Sequence, residues 1–209
     1  MKTIVHLLRH GEVDNPGKVL YGRLPGYHLS LAGVAMAEKA AQALVGRDVV
    51  AVISSPLERA IETATPVAGV FDLPIGTDDR LIEAANIFQG LTFGVGDGSL
   101  RRPTHWKYLV NPFRPSWGEP YRELAARVLG AVNTARDAAR GHEAVCVSHQ
   151  LPIWTARLRA ENKRLWHDPR RRQCALGSLT SFEFDGDALV GVRYTEPSGP
   201  AGMHQVPGA

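Results

Sequence analysis

Short apolar runs alternate along the chain with segments whose apolar residues recur at helical spacing. Runs typical of buried or edge strands cover residues 3–8, 48–54, 73–77 and 143–148. Helical spacing is found over residues 31–44, 56–70, 119–140 and 151–158. Because strands and helices alternate, we expect an α/β three-layer sandwich, in which a mostly parallel central sheet carries helices on both faces.

Local signals place the ends of the first two helices. Ser30 is a predicted N-cap, and Gly46 is the expected stop of the first helix. Ser55 followed by Pro56 predicts the N-cap and first residue of the second helix. Pro66 lies inside that helix and is expected to kink or shorten it, because proline has no amide hydrogen to donate.

The C-terminal part of the chain has a different pattern. Apolar and polar residues alternate over 178–184 and 188–194, and Asp185-Gly186 between them is typical of a hairpin turn. We therefore expect an antiparallel hairpin at the end of a single domain that spans residues 1–195. Proline, glycine and short polar residues dominate 196–209, which predicts a loosely held tail.

Composition narrows the classes of function. The chain has 209 residues, a formal net charge of +3 and two cysteines, Cys146 and Cys174, with no CxxC pair. Neither a disulfide framework nor a thiolate metal site is expected, and a reducing cytoplasm is the predicted location. No apolar stretch reaches the roughly eighteen residues that span a bilayer, and the first residues lack the pattern of a signal peptide, so no membrane partner is expected.

The densest basic run is Arg170 to Arg172. No recognition module, aromatic stacking motif or long basic helix accompanies it, so the run predicts a solvated or substrate-facing loop, and no nucleic-acid partner is expected. A metal site built from His142, His149 and Asp168 has no recognisable ligand spacing. Neither a metal ion nor another cofactor is therefore expected.

Candidate catalytic side chains follow three of the predicted parallel strands. Arg9 and His10 come directly after the first strand, Arg59 follows the second, and His149 follows the third core strand. Because ligands gather at the carboxyl ends of the strands in such a sheet, these groups are expected to meet at one edge. Gly11 would let the chain turn and approach closely beside His10.

Arg9-His10-Gly11-Glu12 resembles the signature of the histidine phosphatase superfamily, whose members share the phosphoglycerate mutase-like fold. Residues 54–64 resemble its second arginine motif, and Val147-Ser148-His149 resembles its late histidine motif. The resemblance covers approximately residues 2–194. It implies a metal-independent enzyme that transfers phosphoryl groups through a phosphohistidine.

The resemblance also implies roles for five residues. His10 would attack phosphorus with one unprotonated ring nitrogen, while a backbone carbonyl accepts from the other and fixes the tautomer. Arg9 and Arg59 would hold the phosphoryl oxygens with charge-assisted hydrogen bonds, and His149 would donate a further one if protonated. Glu83 is the candidate acid for the leaving oxygen; the alternative is an ordinary capping or salt-bridging carboxylate.

Six further residues are expected to contact the substrate. Those near the signature and the late histidine are Asn15, Gly22, Arg23 and Gln150. The other two, Arg101 and Arg102, lie in residues 84–118, which resemble the inserted segment that covers the active site in this family. Cations beside aromatic residues in that segment suggest an anionic or flat organic substrate.

Three functions are open at this point. The favoured one is a phosphatase that hydrolyses a small phosphomonoester, because the segment from residue 81 to residue 118 looks shorter than that of true mutases. The second is a mutase of the phosphoglycerate type, which returns the phosphoryl group to a second hydroxyl. The third is a phosphate-binding protein with little turnover, supported by Gln150 in place of the usual glycine and by the altered segment after Glu83. A phosphate or sulfate ion is expected in the site, and a homodimer is one candidate assembly.

Overall fold

The computed structural model describes residues 1–92 and 118–199. Within these residues, six strands form one sheet and four α-helices pack on it. Arg101 and Arg102 lie outside the described residues, as do most of the predicted inserted segment and most of the predicted tail. The roles of these parts therefore stay predictions.

The strands and helices occur in the order that the sequence predicts. The strands are β1 (Lys2–Arg9), β2 (Val49–Ser54), β3 (Ile75–Thr77), β4 (Glu143–Ser148), β5 (Leu179–Asp185) and β6 (Ala188–Thr195). The α-helices are α1 (Leu31–Gln42), α2 (Glu58–Phe71), α3 (Tyr121–Ala138) and α4 (Gln150–Ala160). Short 3-10 turns occur at Asp79–Leu81 and Pro169–Arg171.

The sheet has the strand order β3-β2-β4-β1-β5-β6. Strands β3, β2, β4 and β1 are parallel, and β5 and β6 are added as an antiparallel hairpin. Asp185 pairs with Ala188, so the hairpin loop is Gly186-Asp187, one residue later than the predicted turn. The φ angle of Gly186 is +58°, in the left-handed region that glycine adopts without strain.

Two apolar clusters hold the helices to the sheet. One joins α3 and α4 to the sheet through Leu124, Val128, Ile153, Val5 and Leu7. The other joins α1 and α2 to the sheet through Ala40, Leu44, Val67, Leu8 and Val145. Because successive side chains of a strand point to opposite faces, Leu7 and Leu8 enter different clusters. The predicted three layers are therefore confirmed.

Helix α1 begins where the sequence predicts. Ser30 Oγ accepts a hydrogen bond from Gly33 N at 3.0 Å, as an N-cap does. The helix ends at Gln42, two residues earlier than predicted, and a turn leads to Gly46, whose φ angle is +79°. The glycine thus lies in the turn that follows the helix.

Helix α2 begins later than predicted. Its first residue is Glu58, and its N-cap, Leu57, makes no side-chain capping bond. The prediction that Ser55 caps this helix is wrong: its amide donates to Val147 O at 2.9 Å, which extends the contact with β4. Pro66 lies inside the helix, and the helix continues past it.

Candidate active site

The carboxyl edge of the parallel strands brings the candidate catalytic groups together. His10 follows β1, His149 follows β4, and Arg59 lies in the first turn of α2, after β2. The ring centroids of His10 and His149 are 5.1 Å apart, and Arg59 Nη2 lies 3.4 Å from His149 Nδ1. All three side chains are buried. The topology therefore gathers groups that are distant in sequence, as expected.

His10 has one ring nitrogen held and one available. Its Nδ1 lies 2.7 Å from Gly11 O; because a carbonyl only accepts, Nδ1 carries the proton in the neutral ring and Nε2 keeps its lone pair. Burial lowers the pKa of His10 well below its usual value, and the charges of Arg59 and Arg9 lower it further, against the opposing effect of the Gly11 carbonyl. His10 is therefore neutral near pH 7, which is the state that a nucleophile needs.

The loop after β1 is pressed against the start of α1. A Cβ atom on Gly11 would lie 2.4 Å from Gly33 O, so a larger residue would displace the backbone. Gly11 N donates to Thr63 Oγ1 at 3.1 Å, and Glu12 Oε1 accepts from Ser30 Oγ at 2.7 Å. The close approach expected at Gly11 is thus to the backbone of α1, and Glu12 helps to orient the loop.

The two arginines are only partly hydrogen bonded. Arg9 Nη1 donates to Cys174 O, and Arg59 Nη2 donates to Gly22 O, both at 2.6 Å. Among the described residues, the buried Arg9 Nε, Arg59 Nε and Arg59 Nη1 have no partner. The ring of Tyr21 lies 4.7 Å from Arg59 Cζ. Buried donors without partners are rare, and guanidiniums with spare N–H groups fit the oxygens of a phosphoryl group.

Both ring nitrogens of His149 are engaged. Nε2 lies 2.8 Å from Ser55 Oγ, and Nδ1 faces Arg59 Nη2. Because a guanidinium only donates, Nδ1 accepts and Nε2 carries the proton. Burial lowers the pKa of His149 well below its usual value, and His10 and Arg59 add to the shift. The ring is therefore neutral near pH 7 unless an anion binds beside it, since a nearby negative charge favours the imidazolium.

Glu83 follows the 3-10 turn after β3 and has the properties expected of a proton donor. Burial raises the pKa of its carboxyl, although the Ala84 amide and the charges of Arg59, Arg9 and Arg172 oppose the shift. Ala84 N donates to Glu83 Oε1 at 2.7 Å. None of the ion pairs in the described part of the chain includes this carboxylate. A raised pKa and the lack of a salt bridge there suit a proton donor.

A cavity of about 230 Å³ opens beside Glu83. Residues in its wall include Tyr21, Gly22, Glu83, Tyr121, Gln150 and Arg172. The candidate acid therefore faces a space in which an alcohol leaving group could lie.

The residues predicted to bind substrate have different surroundings. Gly22 and Gln150 lie in the cavity wall. Asn15 instead closes its own loop: its Nδ2 donates to Val19 O at 2.8 Å, and Val19 N donates to its Oδ1 at 3.0 Å. The amide of Asn15 is thus used within the loop.

Arg23 links the same loop to the segment of the candidate acid. Its Nε donates to Glu83 O at 2.6 Å, and its Nη2 donates to Glu119 Oε2 at 3.1 Å. Arg127 donates to both oxygens of the Glu119 carboxylate, at 2.7 and 2.9 Å. Arg23 therefore has a carboxylate partner already, and its contacts are those of a positioning residue.

Residues 5–197 match the family model of the histidine phosphatase superfamily (branch 1). This chain belongs to the histidine phosphatase superfamily. The match spans every site residue named above, and the expected resemblance is confirmed.

Two relatives and one solved structure resemble this member of the superfamily over most of its length. An uncharacterised protein of Mycobacterium tuberculosis is 59% identical over 197 residues, which are 94% of this chain and 98% of the relative. A 2,3-bisphosphoglycerate-dependent phosphoglycerate mutase of Thermoplasma acidophilum is 41% identical over 164 residues, 73% of this chain and 74% of the mutase. A phosphoserine phosphatase of Entamoeba histolytica in complex with 3-phosphoglyceric acid has a TM-score of 0.74 at 22% identity, covering 93% of this chain and 98% of that one. The last likeness concerns the fold, which is phosphoglycerate mutase-like.

Two residues of this candidate site were not singled out by the sequence. The ring of Tyr21 packs edge-on to His10, with centroids 6.5 Å apart, and no local motif marks it. Arg172 belongs to the basic run that predicts a solvated or substrate-facing loop. Its two neighbours in that run are exposed, whereas Arg172 is half-buried and faces the cavity. The sequence of three adjacent arginines does not indicate which of them faces the cavity.

The described residues show neither a metal-binding cluster nor a membrane-spanning helix. Within residues 1–92 and 118–199, no three His, Cys, Asp or Glu side chains are grouped so as to hold a metal ion. His142 Nδ1 pairs with Asp48 Oδ2 at 2.7 Å, in an exposed position. None of the described helices has both the length and the apolar character needed to cross a bilayer.

Proposed function

We propose that this protein is a metal-independent phosphatase that hydrolyses a small phosphomonoester through a phosphohistidine at His10. The observation that carries the proposal is a pairing of two features. A neutral His10 has its Nδ1 proton held by Gly11 O, and beside it Arg9 and Arg59 have guanidinium nitrogens without partners among the described residues. A nucleophile with a free lone pair therefore lies beside donors suited to a dianion.

In the first step, His10 Nε2 attacks phosphorus and the ester P–O bond breaks. The negative charge of the transferring group spreads over three equatorial oxygens. The spare N–H groups of Arg9 and Arg59 stabilise this charge because they are fixed in place and withdrawn from water. The same charge raises the pKa of His149, and the imidazolium that forms adds positive charge close to His10.

Glu83 protonates the leaving alkoxide in this scheme. Burial raises the pKa of its carboxyl, so a larger share of the carboxyl carries a proton near pH 7 than in an exposed glutamate. In the second step, the Glu83 carboxylate takes a proton from water while the water oxygen attacks phosphorus and the N–P bond breaks. Free phosphate leaves, and neutral His10 and protonated Glu83 are restored.

A mutase is the second candidate function. Its support is the 41% identity to the Thermoplasma acidophilum phosphoglycerate mutase. A mutase would form the same phosphohistidine but pass the phosphoryl group to a second hydroxyl instead of water. A phosphate-binding protein with little turnover is the third, for which Gln150 and the segment after Glu83 are the support.

A cytoplasmic location is part of the proposal. Cys146 and Cys174 are buried free thiols, and a reducing compartment keeps thiols in that state. A homodimer stays a prediction.

Product analysis across sugar, nucleotide, lipid-headgroup and cofactor-precursor phosphates tests the proposal. We expect release of free phosphate that falls by at least about 10³-fold in His10→Ala, because loss of a nucleophile removes most of the catalysis. His142→Ala, which replaces an exposed histidine, is the matched control and should release phosphate at the normal rate. Isomerised esters without free phosphate would instead support the mutase. The absence of both free phosphate and isomerised ester would support the binding protein.

A further inference from the structure

Arg172 is held in the cavity wall by two neutral groups. Its Nε donates to His167 Nε2 at 2.9 Å, and its Nη1 donates to Gln150 Oε1 at 3.2 Å. Its Nη2 has no hydrogen-bond partner among the residues that the structure describes. The guanidinium is thus fixed in position while one nitrogen stays available to a ligand.

His167 cannot neutralise this charge. Its Nδ1 lies 2.6 Å from Leu165 O, so Nδ1 carries the proton and Nε2 accepts from Arg172. Burial lowers the pKa of His167, which keeps the ring neutral. The ring also packs against Tyr121 and Trp154, with centroids 5.5 and 5.9 Å away. Several side chains therefore build a rigid support for a cation.

Arg172 differs from the other half-buried arginines of the described residues because it has no carboxylate within ion-pair distance. Of the described arginines that are not exposed, those with a carboxylate within ion-pair distance are Arg23, Arg80, Arg127, Arg136 and Arg157. Those without one are Arg9, Arg59 and Arg172. A charge withdrawn from water is costly unless an opposite charge meets it. The phosphoryl group would meet the charges of Arg9 and Arg59, and Arg172 is available to a second anion.

The second anion would lie on the side of the leaving alcohol. Arg172 and Glu83 share the cavity wall, and the charge of Arg172 acts on the Glu83 carboxyl. Glu83 is the proposed proton donor to the leaving oxygen, so a group bound at Arg172 belongs to the alcohol part of the ester.

We infer that Arg172, supported by His167 and Gln150, forms a subsite for a carboxylate carried by the alcohol part of the substrate. A carboxylate supplies two oxygens to adjacent guanidinium N–H groups, a geometry that Arg favours over Lys. The inference rests on the proposed function, because the roles of His10 and Glu83 decide which part of the ester faces Arg172. The substrate class becomes a phosphomonoester of a small hydroxy acid.

The first test compares 3-phosphoglycerate with glycerol 3-phosphate, which carry a carboxylate and a hydroxymethyl group at the same place. Binding is measured by calorimetry on His10→Ala, and kcat/KM is measured on the wild-type protein. We expect 3-phosphoglycerate to be favoured by about 10- to 100-fold in both measurements. Equal binding of the two esters would overturn the subsite.

Binding without turnover separates this inference from the proposed function. If His10→Ala prefers 3-phosphoglycerate but the wild-type protein releases no phosphate from any ester, the subsite stands and the phosphatase fails. If the wild-type protein hydrolyses both esters at the same kcat/KM, the phosphatase stands and the subsite fails.

Substitutions locate the preference in one side chain. Arg172→Gln should bring the ratio of the two kcat/KM values close to one, mainly through KM, and Arg172→Lys should restore part of the ratio. Arg171→Gln removes an exposed neighbouring charge and is the control that keeps the wild-type ratio. A ratio that survives in Arg172→Gln would overturn the inference, and so would an equal loss in Arg171→Gln, which would point to general attraction by the basic run.

Discussion

Ser55 Oγ lies 2.8 Å from His149 Nε2, although the two residues are 94 positions apart in the chain. Ser55 follows β2 and His149 follows β4, and these strands are neighbours in the sheet. The hydroxyl accepts a hydrogen bond from Nε2–H, which leaves Nδ1 directed at Arg59. The parallel sheet thus sets the orientation of the second imidazole through a hydroxyl that is hydrogen bonded to it.

The first prediction concerns this contact. Ser55→Ala should lower kcat about tenfold, because His149 loses the bond that orients it, and should lower the free energy of unfolding by about 1 kcal/mol. Steady-state kinetics and urea denaturation measure the two effects. Ser54→Ala is the matched control: it removes a buried hydroxyl that donates to Ser55 O, so it should reduce stability by a similar amount and leave kcat unchanged. Equal losses of kcat in both variants would contradict an orienting role.

The second prediction concerns the leaving group. Glu83→Gln cannot donate a proton, so kcat should fall by about 10²- to 10⁴-fold for an alkyl phosphate, whose alkoxide needs one. It should fall much less for p-nitrophenyl phosphate, whose leaving group is stable as an anion. Kinetics on the two substrates measure the difference. Glu123→Gln, on the exposed side of α3, is the control, and an equal loss on both substrates would remove Glu83 from the role of acid.

The third prediction is a dependence of stability on pH. Burial lowers the pKa values of His10 and His149 in the folded protein, whereas both lie near ~6.5 in the unfolded chain. The unfolded chain therefore binds more protons below that pH, and the stabilisation from the neutral rings is present above about pH 6.5 and lost as the pH falls. Glu83 acts with the opposite sign: its raised pKa favours the folded state at low pH, and this contribution is lost as the pH rises above about 4.5.

Comparison of the wild-type protein with His10→Ala isolates one of these groups. The slope of the unfolding free energy against pH, measured by urea denaturation between about pH 5 and 6, should decrease by up to about 1.4 kcal/mol per pH unit in the variant. An unchanged slope in His10→Ala would show that His10 is not held neutral by the fold.

Much of this fold could be predicted because its signals are local. β4 has the bounds that the sequence predicts, since its apolar run is flanked by polar residues on both sides, and Ser30 caps α1 as expected. The start of α2 could not be predicted in the same way. Ser55-Pro56 has the composition of a helix start, but the Ser55 hydroxyl is used by His149, a partner that only the folded sheet brings near.

The site shows the same division. The common location of His10, Arg59 and His149 could be predicted because each follows a recognisable strand, and the topology places the ends of those strands together. The hydrogen-bond partners of Asn15, Arg23 and Arg172 depend on how the loops fold, so the sequence alone could not predict them. Asn15 turned out to bond within its own loop, whereas Arg172, one of three adjacent arginines, turned out to face the cavity.

Trapping of the covalent intermediate tests the central claim most directly. The protein is mixed with 32P-labelled p-nitrophenyl phosphate, quenched within milliseconds in alkali, which preserves phosphohistidine, and digested for peptide mapping. We predict an acid-labile, alkali-stable label on the peptide that contains His10, present in His142→Ala and absent from His10→Ala. A label on another residue, or steady release of free phosphate without any labelled His10, would contradict the mechanism.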